Sequence, residues 1–184
     1  MSEKPKSVYM LGAEDGLYMG PLMALTVVLI GASTYVAWVG IAGLLCALAV
    51  PVLAYWRLAV SYRESAAAMS FPALWLQGIS MFFFGGLVMA VVAFVAMRWA
   101  VPGFIGHQID MIVNIYSSSG DPTAIATAKT FEKLRSTGAL PSPLDMALEL
   151  LYIAVFSGSI LSATYAWLIR RRRPTPPPFY GSNH

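Results

Sequence analysis

Charged side chains are scarce in this chain of 184 residues, of which Asp, Glu, Lys and Arg together make up 11%. A soluble domain carries about 25% charged residues. Hydrophobic residues reach 58%, and the mean hydropathy is +0.66. This composition excludes an ordinary soluble domain and indicates one compact bundle of membrane-spanning helices.

Residues that bind metals or take part in redox chemistry are also few. The single cysteine, Cys46, lies in an apolar run, which excludes an intramolecular disulfide and favours a buried, inert thiol. Two histidines, His107 and His184, do not make a metal site with one distant cysteine. Phosphate-binding loops, serine-hydrolase elbows and zinc-protease motifs are missing. We therefore expect no cofactor, no metal site and no enzymatic activity.

The last hydrophobic segment fixes the class of the protein. Between Glu149 and Arg170 lie 20 residues without a charge, which is about the length that a helix needs to cross a bilayer. Four arginines follow at once, Arg170, Arg171, Arg172 and Arg173. Because clustered Lys and Arg mark the cytoplasmic side, we expect this end of the chain inside the cell. The net charge of +3 then reflects membrane topology, and we expect no nucleic-acid partner.

Residues 16–56 contain no charge and are too long for one span. As a single helix they would measure about 60 Å, twice the bilayer core. Gly31, Ser33 and Thr34 mark a turn, so the sequence predicts two helices here, at about Leu11–Ser33 and Val39–Tyr62. A third span is predicted at about Pro72–Arg98.

The section between the third and the last span has a different pattern. Apolar residues recur at helical spacing among polar ones, which predicts an amphipathic helix with Ile105, Ile109, Ile112, Val113 and Tyr116 on one face. A second short helix is predicted from Pro122 to Arg135, with Asp121 as its N-cap.

These elements predict an all-α protein with four transmembrane helices in a bundle and a small extracytoplasmic helical cap. The predicted parts are a cytoplasmic N-terminal segment (1–10), three spans (11–100), the cap (101–143), the last span with its basic cytoplasmic end (144–173) and a Pro-rich cytoplasmic tail (174–184). This topology places eight Lys and Arg residues inside, namely Lys4, Lys6, Arg57, Arg63 and Arg170–Arg173. Four lie outside, Arg98, Lys129, Lys133 and Arg135.

Ionisable residues at the cytoplasmic ends of the spans are candidate functional groups. Glu14 and Asp15 begin the first helix, and Arg57 and Arg63 end the second. One interpretation is an ion pair at the membrane interface between these acids and Arg57 or Arg63. The other is an entry site for protons or cations.

A second candidate pair lies at the outer ends of the third and fourth spans, where Arg98 and Glu149 have similar depth. We expect an ion pair between these helices that removes an unpaired charge from low dielectric. The alternative is a titrating carboxylate on a transport path.

Polar and small residues inside the spans suggest helix packing. Gln77, Ser157, Ser159 and others are expected to bond the backbone or neighbouring helices. The patterns Gly158-x-x-x-Ser162, Ser159-x-x-x-Ala163 and Gly43-x-x-x-Ala47 permit close helix approach.

Short motifs give a resemblance over residues 10–173. They are a first span dotted with glycines, Tyr62–Arg63 after the second span, Ser70–Phe71 at the entry to the third, and Pro102 after it. With the outer helical excursion and the basic end, this pattern resembles the bacterial four-span family called domain of unknown function 4199. The resemblance implies a multi-pass protein of a Gram-negative inner membrane, and it implies no activity, cofactor or catalytic residue.

The function hypothesis is a non-enzymatic scaffold or accessory subunit of a membrane complex. Its partners would be the lipid bilayer and other membrane subunits, or further copies of itself. The alternative is a small oligomeric transporter or channel that uses intramembrane carboxylates, and an enzyme acting on lipid is third.

Overall fold

The computed structural model describes residues 7–65, 69–101, 103–138 and 140–171. These residues form helices and no strands. The helices are α1 (Val8–Ala32), α2 (Ala37–Glu64), α3 (Phe71–Val95), α4 (Phe104–Ser118), α5 (Pro122–Ser136) and α6 (Pro143–Arg171), and a π-helical segment, Ala96–Ala100, continues α3. The predicted all-α fold is confirmed.

Four of these helices are long and apolar enough to cross a membrane. They are α1 with 25 residues, α2 with 28, α3 with its π-helical extension, 30 together, and α6 with 29. Even 25 residues measure about 37 Å, which exceeds a hydrocarbon core of about 30 Å. The four-span prediction is confirmed, with helix ends within a few residues of those expected. The first helix begins earlier than predicted because Ser7 caps it and accepts a bond from the Met10 N–H at 3.3 Å.

The third span is the centre of the bundle, with 44% of its apolar window buried, whereas α2 is peripheral at 11%. α1 faces α3 from Gly12, beside Gln77, to Gly20, beside Val88. Because the two residue numbers rise together, α1 and α3 run parallel. α6 packs on another face of α3, and it runs antiparallel to α3, since Gly78 meets Ser162 whereas Gly86 meets Ala154.

A line of glycines lets α1 and α3 touch through their backbones. A Cβ atom would lie 2.6 Å from the Gln77 carbonyl oxygen at Gly12, 2.6 Å from the Met81 carbonyl oxygen at Gly16, and 2.7 Å from the Val88 Cβ at Gly20. Side chains of any size are therefore excluded along this seam. Helices in lipid associate by close packing of this kind, since burial of apolar surface gives little advantage there.

The α3–α6 interface also uses small residues. Gly158 lies against the Phe82 ring, and Ser162 lies against Gly78. The prediction that Gly158-x-x-x-Ser162 permits close helix approach is therefore confirmed. Gly43 of the α2 pattern contacts α1 at Ile30.

The short helices α4 and α5 pack on each other and sit at the end of the bundle that holds the α1–α2 turn. The His107 ring of α4 stacks on Tyr35 of that turn, with ring centroids 5.6 Å apart. Ile109, on the predicted apolar face of α4, is buried. Asp121 caps α5 as predicted, since its Oδ1 accepts a bond from the Thr123 N–H at 2.9 Å. The opposite end of the bundle holds the start of α1, the end of α2, the start of α3 and the end of α6.

Several predicted features lie outside the described residues. They are Lys4, Lys6, Pro102, Arg172, Arg173 and the Pro-rich tail 174–184.

Candidate functional site

A buried carboxylate lies at the end of the bundle opposite α4 and α5. Asp15 is in the second turn of α1, and only 3% of the residue is exposed. It stands between Gly12 and Gly16, whose contacts hold α1 against the α3 backbone. Because α3 approaches so closely, a short side chain on α1 is able to reach polar groups on its neighbours.

The first partner of this carboxylate is Arg57 of α2. The Arg57 Nε donates to Asp15 Oδ1 at 2.8 Å, and the Arg57 Nη2 donates to the same oxygen. The arginine side chain is 32% exposed and the aspartate side chain 4% exposed. The guanidinium carbon also lies 5.5 Å from the Tyr18 ring centroid and 5.9 Å from that of Trp56. Two aromatic rings therefore add cation–π attraction to a charge that the carboxylate already holds.

The second partner is Gln77 of α3, which is fully buried. Its Nε2 donates to Asp15 Oδ2 at 3.0 Å and to Ser61 Oγ of α2 at 2.8 Å. We call Asp15, Arg57, Ser61 and Gln77 the Asp15 network. It satisfies both oxygens of the carboxylate and joins three spans in one layer.

Two buried polar atoms near this layer have no hydrogen-bond partner among the described residues. They are Gln77 Oε1 and Ser162 Oγ. The Ser162 oxygen lies close to the position that a Cβ of Gly78 would take, so it packs against that glycine. The Gln77 oxygen is the remaining acceptor in the network.

The depth of the network follows from the length of α2. Arg57 lies 19 residues after Trp38, which is about 28 Å along a helix. This distance matches a hydrocarbon core of about 30 Å. When Trp38 lies at one boundary of the core, Arg57 and Trp56 lie at the other. With Trp38 so placed, the charged pair would lie at an edge of the apolar layer.

The structure brings together only part of the predicted site residues. Asp15 pairs with Arg57, whereas Glu14 is half-buried and Arg63 is exposed. Arg171, at the end of α6, lies over the Trp167 ring at 5.0 Å, and Arg170 beside it is exposed.

The predicted pair of Arg98 and Glu149 is wrong. Both residues are exposed, and the ion pairs within the described part of the chain join Arg57 to Asp15 and Arg135 to Asp110. The reason is the register of the two helices. α3 and α6 are antiparallel, with Gly78 beside Ser162 and Gly86 beside Ala154, so Glu149 lies at the level of about Val91. Arg98 is seven residues farther along α3 and its π-helical extension, which is about 10 Å along the helix axis.

Sequence reasoning anticipated part of the network. Gln77 was expected to bond neighbouring helices, and its bonds to α1 and α2 confirm this. The role of Ser61 was missed, since a serine near a helix end carries no distinctive signal. The available signal for the α1–α3 seam was a glycine at every fourth position, namely Gly12, Gly16 and Gly20.

A second polar group lies between α4 and α5. Arg135 forms an ion pair with Asp110, beside a cavity of about 470 Å³ that is lined by Asp110, Val113, Asn114, Glu132 and Arg135. Both charged side chains are substantially exposed, at 56% and 42%. The pair joins the two short helices at a solvated surface, where such pairs contribute about 0.2–1 kcal/mol.

Four apolar helices, three of which are joined by a polar network, define a multi-pass helical membrane protein. The chain belongs to the family described as protein of unknown function (DUF4199), whose model matches residues 14–171. This match confirms the resemblance found in the sequence, and it includes the whole Asp15 network. Comparisons with curated proteins and with solved structures give no match.

Proposed function

We propose that this protein is a non-enzymatic scaffold or accessory subunit of a membrane complex, and that α2 is the helix that contacts its partner. The observation that carries the proposal is a ridge of large apolar side chains on α2. The ridge consists of Trp38, Ile41, Leu45, Leu48 and Val52, with relative exposures of 70%, 65%, 63%, 59% and 69%.

The spacing of this ridge favours a helical partner. Successive members are three or four residues apart, which is the pattern that packs into the grooves of a second helix. The charged residue of this span, Arg57, is paired with Asp15 inside the bundle. The ridge is therefore free of charge and suits another transmembrane helix, from a different subunit or from a second copy.

We further propose that the protein resides in the inner membrane of a bacterium with both termini in the cytoplasm. Arg57, Arg63, Arg170 and Arg171 lie at the end of the bundle where α1 begins and α6 ends. The predicted eight-to-four excess of Lys and Arg favours the cytoplasm for that end. Helices α4 and α5 would then form an extracytoplasmic cap.

Affinity purification in a mild detergent tests the scaffold proposal. The tagged wild-type protein should copurify with a stoichiometric membrane chain or run as an oligomer. Replacing Ile41, Leu45 and Leu48 together by Ala should remove that association. The matched control replaces Ile153, Phe156 and Ile160 of α6, which are equally exposed, and should retain it. A monomer without a stoichiometric partner, in the wild type, contradicts the proposal.

The second candidate is a small oligomeric transporter or channel, and the buried Asp15 favours it. This acid sits inside the span region, beside a Gln77 oxygen without a partner in the described residues. Proton uptake by proteoliposomes, followed with an internal pH dye, tests this candidate. Transport predicts uptake by the wild type, none by Asp15→Asn, and full uptake by the control Asp110→Asn. A scaffold predicts no uptake by any of the three.

A further inference from the structure

We propose that Arg57 binds the phosphate group of a phospholipid in the leaflet at the end of the bundle where α1 begins and α6 ends. The lipid site consists of Arg57, Tyr18 and Trp56. It is separate from the α2 ridge and does not depend on the scaffold proposal.

The guanidinium of Arg57 has donors to spare. Its Nε–H and one N–H of Nη2 donate to Asp15 Oδ1, so the side edge of the guanidinium is occupied. Three of the five N–H groups of an arginine remain, including both on Nη1. No acceptor for them is present among the described residues. One N–H of Nη1 and the remaining N–H of Nη2 form the end edge of the guanidinium, a fork that fits two phosphate oxygens.

The exposed part of this arginine lies beside two exposed aromatic rings. Its side chain is 32% exposed although its partner Asp15 is buried. Tyr18 and Trp56, whose rings flank the guanidinium, are 75% and 54% exposed. Their rings suit the boundary between hydrocarbon and headgroups, where amphipathic aromatic side chains concentrate. Asp15 fixes the orientation of the fork, so little conformational freedom is lost when a phosphate binds.

The depth of Arg57 agrees with that of lipid phosphates. It lies about 28 Å along α2 from Trp38, at one edge of a hydrocarbon core of about 30 Å. The phosphate layer begins at this edge, and an arginine side chain is long enough to extend toward it.

Charge favours a phosphodiester of a lipid over free phosphate. Asp15 neutralises much of the Arg57 charge, so a dianion would remain largely uncompensated at this depth. A lipid phosphodiester carries one negative charge and brings its own apolar chains. Arg63, exposed and about 9 Å farther along α2, adds a positive charge at headgroup level. We therefore expect a preference for phosphatidylglycerol over zwitterionic phosphatidylcholine.

Thermal unfolding in detergent micelles tests the lipid site, with three additives compared at equal concentration. Phosphatidylglycerol should raise the melting temperature of the wild type in a saturable manner, phosphatidylcholine should raise it less, and inorganic phosphate should have no effect. Arg57→Lys keeps a positive charge beside Asp15 but has no fork. It should raise the half-saturating concentration of phosphatidylglycerol about tenfold.

Variants that leave the ion pair intact keep the test decisive if Arg57→Lys fails to fold. Tyr18→Leu combined with Trp56→Leu should weaken lipid binding. Trp99→Leu, at the opposite end of the bundle where that residue is 67% exposed, should not. Wild-type lipid binding by Arg57→Lys, or by the double aromatic variant, overturns the proposal. A response to inorganic phosphate equal to that with phosphatidylglycerol identifies a free-phosphate site and also overturns it.

Discussion

At the scale of single residues, the Asp15 network places an acid, a base and an amide between three spans. A buried ion pair is a weak source of stability, because desolvation offsets much of the attraction between the charges. Loss of one partner is far more damaging, since the other charge is left buried alone. The main role of the network is therefore to determine which faces of α1, α2 and α3 meet.

The first prediction compares the loss of one charge of the pair with the loss of both. Arg57→Ala strands the Asp15 carboxylate and should destabilise the protein by about 3–5 kcal/mol. Arg57→Ala combined with Asp15→Ala should recover part of that loss. Melting temperatures in detergent provide the measurement. Equal or greater loss in the double variant would show that the two charges are not coupled.

Two other pairs serve as controls for the first prediction. Arg98 and Glu149 do not contact each other, so Arg98→Ala and Glu149→Ala should have additive effects. Arg135→Ala removes an exposed pair with Asp110 and should reduce stability by no more than about 1 kcal/mol.

At the scale of elements, the contact between α1 and α3 depends on the lack of side chains at three glycines. Their spacing of four residues brings all three to the same side of α1. Backbone atoms of α3 occupy the space that side chains at Gly12 and Gly16 would need, and the Val88 side chain occupies that space at Gly20. The position of Asp15 follows from the same contact, since a wider separation would take its carboxylate away from Gln77.

The second prediction tests the glycine seam. Gly16→Val should prevent the native α1–α3 contact, because even its Cβ would lie 2.6 Å from the Met81 carbonyl oxygen. We expect the monodisperse peak in size-exclusion chromatography to be lost. The matched control is Gly106→Ala in α4, where nothing lies within 4 Å of an added Cβ. This control should be neutral or stabilise by up to about 1 kcal/mol, since Ala favours a helix more than Gly does. A folded Gly16→Val protein would contradict the proposed contact.

The third prediction concerns the face of α4. Ile109 is 7% exposed, whereas the side chain of Asp110 is 42% exposed. In a Cys46→Ala background, Asp110→Cys should react readily with a membrane-impermeant thiol reagent, and Ile109→Cys should react slowly. Mass spectrometry of the labelled protein measures the difference. Equal labelling would argue against a fixed amphipathic helix.

At the scale of the whole molecule, the two ends of the bundle differ in chemistry. One end holds α4 and α5, which contact the α1–α2 turn through stacked Tyr35 and His107. The other end holds the Asp15 network and the basic end of α6. The family match extends over both ends.

The fourth prediction concerns which end of the bundle faces the cytoplasm. Alkaline phosphatase is active only after export from the cytoplasm, so its fusion after His184 should be inactive. A fusion within the α5–α6 connection, after Pro141, should be active. These results follow from the predicted excess of Lys and Arg at the termini. The reverse pattern would invert the orientation and place α4 and α5 in the cytoplasm.

The sequence by itself determined the number of spans, their approximate ends and the short helices between the third and fourth. Span length is a local property, since it depends on how many uncharged residues match the thickness of a bilayer. The cap at Asp121 is local too, because it satisfies a backbone group of its own helix. Such features need no knowledge of neighbouring helices.

Only the tertiary structure decided which charges meet. Sequence position gives the depth of a residue in a span, but not which neighbour its side chain faces. Arg57 and Arg63 were both possible partners for the acids of α1, yet six residues turn a helix through about 240°, so the two point to different sides. The glycine seam holds α1 against α3, and this approach selects Asp15, Arg57 and Gln77 as partners. Arg98 and Glu149 remain apart because the antiparallel register of α3 and α6 places them about seven residues apart along the helix axis.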